Sequence, residues 1–172
     1  MASHPAPLTP AKRAQMMTVL SKACGPYGMA AGQALDIMVM NDPSIPVELL
    51  TDIYRLKTGA LFSACIELGR LASNDEDEMN KRALKKFGDA IGLAFQIQDD
   101  ILDIEAETAT LGKTQGIDVM NNKITYPRLV GLDTAKEKVE LLYQEALEAI
   151  NYLNARATVL RDLTSHMLQR SN

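Results

Sequence analysis

Tryptophan is absent from this 172-residue chain, and aromatic residues make up only 5% of it. Proteins that bind single-stranded nucleic acid stack bases on aromatic side chains, so the shortage argues against that class. An excess of positive charge is missing too. Lys+Arg number 18 against 22 Asp+Glu, for a net charge of -4, which argues against a broad basic surface for a phosphate backbone. Cysteine is scarce. Cys24 and Cys65 lie far apart among small and apolar residues, too few for a disulfide scaffold, and are expected to be buried free thiols. No apolar run approaches the ~18 residues of a membrane helix. Met1 to Pro10 has no basic start followed by an apolar stretch, so no secretory signal is visible. The expectation is a reduced, cytoplasmic protein. The two histidines, His4 and His166, sit near the termini, and no His-based catalytic group is apparent. There is no Gly-rich phosphate loop, and 7 Pro with 10 Gly are too few for a fibrous or disordered chain.

What is present is apolar periodicity. Hydrophobic residues are 47% and charged residues 23%, the balance of one soluble globular domain. Thr9 is a good N-cap and Pro10 suits a first helical position, and Gly25-Pro26 ends that helix. A second helix is expected from about Tyr27 to Met40, broken by Asn41-Asp42-Pro43. Pro46 opens a third, interrupted at Lys57-Thr58-Gly59 and resumed from Ala60 to Ala72. After an acidic turn over Ser73 to Glu78, one long helix reaches about Ile104 on the stripe Leu93, Ile97, Ile101 and Ile104. Gly88 and Gly92 fall inside it, each at a cost of ~1 kcal/mol relative to Ala, which suggests close approach by another helix or a ligand. Residues 106–123 lack periodicity and carry Gly112, Gly116 and Asn121-Asn122. A loop of that length in a compact helical chain is often functional, and 106–123 is expected to be an active-site loop. A short helix near Tyr126 to Val130, one capped by Asp133, and a last one over about Ala155 to Gln169 complete the chain. The expected fold is all-α, a single bundle of packed helices over 1–172.

The chemistry is expected in Phe95-Gln96-Ile97-Gln98-Asp99-Asp100-Ile101-Leu102-Asp103. On a helix Asp99 and Asp103 are one turn apart and share a face, with Asp100 beside them and Gln96 one turn earlier. Three carboxylates on one strip repel each other, and a bound cation relieves that cost. Hard oxygen ligands without His or Cys suit Mg2+, which uses one or two carboxylates together with substrate phosphates. A solvated acidic helix face remains the alternative. The run Asp75-Glu76-Asp77-Glu78 is as acidic but lies in a turn, and no chemistry is assigned to it. Cations elsewhere favour the metal reading. Lys57 stands within an apolar helix, where it should be paired or face a polar cavity, and Lys113 and Lys123 follow the acidic strip. Together with Mg2+ they would counter a diphosphate. Gln33 and Asp36, three apart, could line the same cavity or form an ordinary polar edge.

Five segments, in order and spacing, resemble the trans-isoprenyl diphosphate synthases, those of bacteria that form farnesyl diphosphate in particular. They are Gly32-Gln33-Ala34-Leu35-Asp36, Lys57-Thr58-Gly59-Ala60-Leu61, Gly92 through Asp103, Thr110-Leu111-Gly112-Lys113-Thr114-Gln115-Gly116, and Lys123-Ile124-Thr125-Tyr126-Pro127. The resemblance covers nearly all of the chain after Thr9. It implies an isoprenoid-synthase helical bundle, normally a homodimer, and Mg2+-dependent prenyl transfer from an allylic diphosphate to isopentenyl diphosphate. It also implies site roles. Asp99 would be the principal Mg2+ ligand, with Asp100 and Asp103 supporting it through water or from behind. Lys57 and Lys113 would hold the allylic diphosphate, with Lys123 near the phosphate mouth. The Thr58 carbonyl and the Gln96 side-chain oxygen would stabilise the developing carbocation, and Phe95 would pack near the isopentenyl tail. One departure is large. The family's earlier aspartate-rich motif, its following arginines and the residues that usually set product length have no counterpart here. The chain therefore resembles the C-terminal half of such an enzyme. It is expected to be inactive alone and to expose apolar helix faces that a complementing N-terminal half would cover. A non-catalytic partner subunit or binding module of an intact synthase is the alternative.

Overall fold

The computed structural model describes residues 8–40, 42, 44–111 and 124–170, with only the backbone for 107–111. Helix α1 (Pro10–Cys24) begins as its sequence dictates. Thr9 is extended at φ -63°, ψ 155°, and its hydroxyl oxygen accepts the Lys12 N–H at 3.2 Å. Helix α2 (Met29–Val39) is shorter than the expected stretch over 27–40. Of the Asn41-Asp42-Pro43 breaker only Asp42 lies among the described residues, and its Oδ1 accepts the Ser44 N–H at 3.0 Å. Helix α3 (Val47–Tyr54) follows Pro46, which is extended at ψ 144°.

The chain does not break between α3 and α4 (Ala60–Ala72). It widens into a π turn over Arg55–Gly59, so the interruption expected at Lys57-Thr58-Gly59 is an extra residue within a continuous rod. Such turns are uncommon and often mark functional positions. Two neighbouring backbones press on it. A Cβ on Gly32 would lie 2.3 Å from the Lys57 nitrogen, and one on Gly92 would lie 2.9 Å from the Gly59 Cα. The close approach expected of Gly92 is therefore made to a helix.

Helix α5 (Glu78–Leu111) starts on the acidic run. Asp77 Oδ1 accepts the Met79 and Asn80 N–H groups at 2.7 and 3.1 Å, a capping role that explains why this run is acidic without being a site. The helix continues to Leu111 instead of ending near Ile104, so the first part of the expected 106–123 loop is helical. Residues 112–123, including Lys113 and Lys123, lie outside the described residues. Helix α6 (Tyr126–Val130) ends at Gly131, whose φ of +91° suits glycine. Gly131 also caps α7 (Leu132–Ala149), so Asp133 sits in the first turn and not at the expected cap position. A 3-10 stretch over Asn151–Ala157 delays α8 (Thr158–Leu168) beyond the expected start near 155.

No strand occurs among the described residues, and the fold is all-α. Helix α5 is its axis, packed between α4 and α7. It buries Phe87, Ile91, Leu93, Ala94, Ile97 and Ile101 against Leu50 and Ile53 of α3 and Val139, Leu142, Tyr143 and Ala146 of α7. The cysteines depart from expectation. Both thiols are free, but both residues are exposed, because Ala23 and Ala64 beside them take the buried positions. Helix α1 buries only Ala23 and α2 only Gly32. Met17, Leu20, Tyr27, Ile37 and Met38 are left facing solvent, an apolar surface of the kind a partner covers. Among the described residues no helix is long and apolar enough to cross a membrane.

Candidate active site

The acidic strip lies along α5. Gln96, Asp99 and Asp103 follow one another by three and four residues on one side of the helix. The Asp99 side chain is 44% exposed and Asp103 is exposed, while Ile97 and Ile101 are buried. Asp100 does not share this exposed side, which corrects the expectation of three carboxylates on one strip. Successive helical residues turn by about 100°, and Asp100 turns into the protein, where it is 0% exposed. Its Oδ2 accepts the Tyr54 hydroxyl and, at 3.1 Å, the Tyr126 N–H. Burial first, and then the adjacent Asp100 charge, raise the Tyr54 phenol far above its ordinary value, so it stays a donor. Asp100 thereby ties α5 to the residue that precedes the π turn and to the start of α6.

The π turn faces this strip. The Thr58 hydroxyl donates to Gln96 Oε1 at 2.7 Å. The neighbouring Lys57 ammonium donates to Asp36 Oδ2 at 2.5 Å, with the two side chains 33% and 21% exposed. Lys57 is thus paired, as a lysine within an apolar helix should be, and Asp36, Lys57, Thr58 and Gln96 are brought together. Gln33 is not drawn into either pair and lies exposed on α2. Phe95 packs on Phe62 with ring centroids 5.2 Å apart and planes tilted by 43°.

Arg170, just beyond α8, reaches the same place. Arg170 Nη2 forms an ion pair with Asp99 Oδ1, and its guanidinium carbon lies 4.7 Å from the Phe95 ring centroid. Gln98 Nε2 donates to the Leu168 carbonyl at 3.2 Å, and Gln98 Oε1 accepts the Tyr143 hydroxyl at 2.6 Å. Burial pushes the Tyr143 phenol up to about 12. Neither Tyr54 nor Arg170 was singled out by sequence reasoning. For Tyr54 a signal existed, since a phenol in an apolar helix must find a hydrogen-bond partner. For Arg170 none existed, since 71 residues separate it from Asp99.

Two carboxylates one turn apart and accessible to water, with no His or Cys ligand beside them, fit Mg2+, which takes one or two protein carboxylates and completes its shell with water and phosphate. Among the described residues no group of three or more His, Cys, Asp or Glu could hold a metal ion by itself.

Known proteins share this arrangement of helices. The chain is 40% identical over 162 residues to farnesyl diphosphate synthase of Escherichia coli (strain K12), covering 92% of this chain and 54% of that protein. It superposes with a TM-score of 0.80 and 33% identity on a geranyltransferase from Legionella pneumophila, covering 96% of this chain and 52% of that one. A geranyltransferase from Helicobacter pylori complexed with magnesium and isoprenyl diphosphate matches with a TM-score of 0.75 and 32% identity, covering 94% of this chain and 52% of that one. The chain thus spans about half the length of the relatives it matches. The polyprenyl synthetase family model matches residues 1–159, and on that match, with the helical bundle and the strip on α5, this chain belongs to the polyprenyl synthetase family.

Proposed function

We propose that the chain forms the C-terminal half of a prenyltransferase site. There an allylic diphosphate would ionise, and the allylic carbocation would be attacked by the double bond of isopentenyl diphosphate. Loss of a proton to the departed diphosphate would complete a longer trans-prenyl diphosphate. Farnesyl diphosphate is the product we assign, on the likeness to the E. coli synthase. The observation that carries the reading is the alignment of Thr58 and Gln96, 2.7 Å apart, one helical turn from Asp99 and next to Lys57.

Each residue then has a task. The Thr58 carbonyl and Gln96 Oε1 would set negative dipoles against the developing carbocation. Lys57 and Lys113 would hold the allylic diphosphate, with Lys123 at the phosphate mouth. Gln33 and Asp36 would line the cavity, and Asp36 also orients Lys57. Phe95 would pack near the isopentenyl tail. Bound Mg2+ would supply counter-charge to the diphosphate. Asp99 would be its principal carboxylate ligand, with Asp103 reaching it through water and Asp100 supporting the strip from behind. The two free thiols are exposed, which suits a reducing compartment, and we place the reaction in the cytoplasm.

The likeness covers only half of each relative, and the uncovered apolar side chains of α1 and α2 favour a complementing N-terminal half, the whole forming a homodimer. The chain alone would then be inactive. The test is prenyl transfer with radiolabelled isopentenyl diphosphate, comparing this chain, the chain with an added N-terminal half, and the same pair carrying Asp99→Ala. Turnover is expected only in the second. Robust turnover by the pure chain would refute inactivity. A second reading rests on the same exposed faces: a non-catalytic subunit that docks on an intact synthase. A stable hetero-complex in size exclusion, with no gain of activity on complementation, would favour it.

A further inference from the structure

We propose that Arg170 is a built-in counter-cation at Asp99, so that a divalent cation and the C-terminal arginine compete for the same carboxylate oxygen. This rests on the reading of Asp99 as a metal ligand. The guanidinium is held on two sides, by its ion pair to Asp99 Oδ1 and by the Phe95 ring at 4.7 Å. Its backbone is held as well, since Arg170 N–H donates to the Met167 carbonyl at 3.3 Å. In this state the strip's most favoured ligand is already neutralised by the chain itself.

A cation arriving at Asp99 Oδ1 would meet a like charge at contact distance, a repulsive arrangement. The carboxylate has lone pairs enough for both, but two like charges at contact distance repel, so loading of one weakens the hold of the other. Arg170 is the group that can move. Its side chain and that of Asp99 are 35% and 44% exposed, and ion pairs so open to water are weak enough to exchange readily. The anchor just before it is stronger. Gln98 is buried, its amide oxygen is occupied by Tyr143, and its amide nitrogen holds the Leu168 carbonyl. Helix α8 therefore stays docked while the Arg170 side chain turns away. Metal loading at Asp99 is thus coupled to the position of the Arg170 side chain, in both directions.

The test is an NMR titration of the full chain. Mn2+ alone should broaden the amide signals of Asp99 and Asp103. Mg2+ should shift the Arg170 Nε–H signal towards that of a free arginine and leave the Leu168 region in place. Arg170→Met, which keeps an apolar contact to Phe95 and removes the charge, should tighten Mn2+ binding by about two- to fivefold, the worth of a partly exposed ion pair. Broadening at Asp99 with an unmoved Arg170 signal, or with unchanged or weaker binding in Arg170→Met, overturns the competition and leaves the metal reading standing. No broadening at Asp99 in either chain overturns the metal reading, and the competition with it. Asp99→Asn should free the Arg170 signal without any metal, and an unchanged Arg170 signal in that variant counts against the proposal.

Discussion

The Tyr54 hydroxyl and the Tyr126 backbone N–H donate to the same oxygen of Asp100, so one buried carboxylate within α5 holds the end of α3 and the start of α6. Removing Tyr54's share by Tyr54→Phe should cost about 1.5–3 kcal/mol of unfolding free energy, the usual loss for a hydrogen bond to a buried charge. Asp100→Ala should cost more, because two donors lose their acceptor, and Asp100→Asn less, because its amide oxygen can still accept. Urea unfolding of the three variants tests the order, and an Asp100→Ala chain as stable as the parent would remove the clamp from consideration.

The alkaline limb of stability follows from the same pair. The folded Tyr54 phenol lies above the unfolded value of 10.0. Its contribution is therefore complete below pH 10 and is lost as pH rises through and beyond that value, where the unfolded chain ionises and the folded one does not. Thermal midpoints should fall more steeply above pH 10 in the parent than in Tyr54→Phe.

The acid limb has a different source. Arg70 donates twice to Glu67, at 2.8 Å each, and holds its carboxyl below the ordinary 4.5. This stabilisation is complete above the unfolded value and disappears as pH falls through the lower folded one. Glu67→Gln should cost about 1 kcal/mol at neutral pH. The two chains should converge in acid, which melts recorded from neutral pH downward would show.

Gly32 and Gly69 make a matched pair of tests. A methyl group on Gly32 would collide with the Lys57 backbone, while one on Gly69 meets nothing within 4 Å. Gly32→Ala should destabilise by about 1–3 kcal/mol through overpacking and shift the amide signals of the π turn. Gly69→Ala, inside α4, should stabilise by up to about 1 kcal/mol. Equal effects in the two variants would contradict the close contact.

Much of this was legible in the sequence, and the gaps have physical reasons. Thr9-Pro10 marked the start of α1 because a cap is a local bond. The four-four-three spacing on α5 marked its buried side, and Ile97 and Ile101 lie there. Asp36, Lys57, Thr58 and Gln96 could be picked out by their motifs, and they meet. The direction of Asp100 was not legible, because its partner Tyr54 is 46 residues away. The exposed thiols were missed because composition around a cysteine does not say which neighbour takes the core position. The end of α5 was placed too early because polar and small residues after Ile104 break the apolar stripe without breaking the helix.

The widened turn at Arg55–Gly59 has a consequence for any attempt to shorten the chain there. Removing one residue would let ordinary helical hydrogen bonding close the gap, so local propensity would not object. The rod on either side would keep its facing, because the widened turn already absorbs the surplus residue. What would be lost is the local bulge that sets Thr58 opposite Gln96. Tightening the turn at full length would do the reverse damage, swinging Ala64 and Leu71 about 100° off the interior. The irregularity acts as a phase-keeper: it seats one added residue at the site without turning the rest of the rod away from the core.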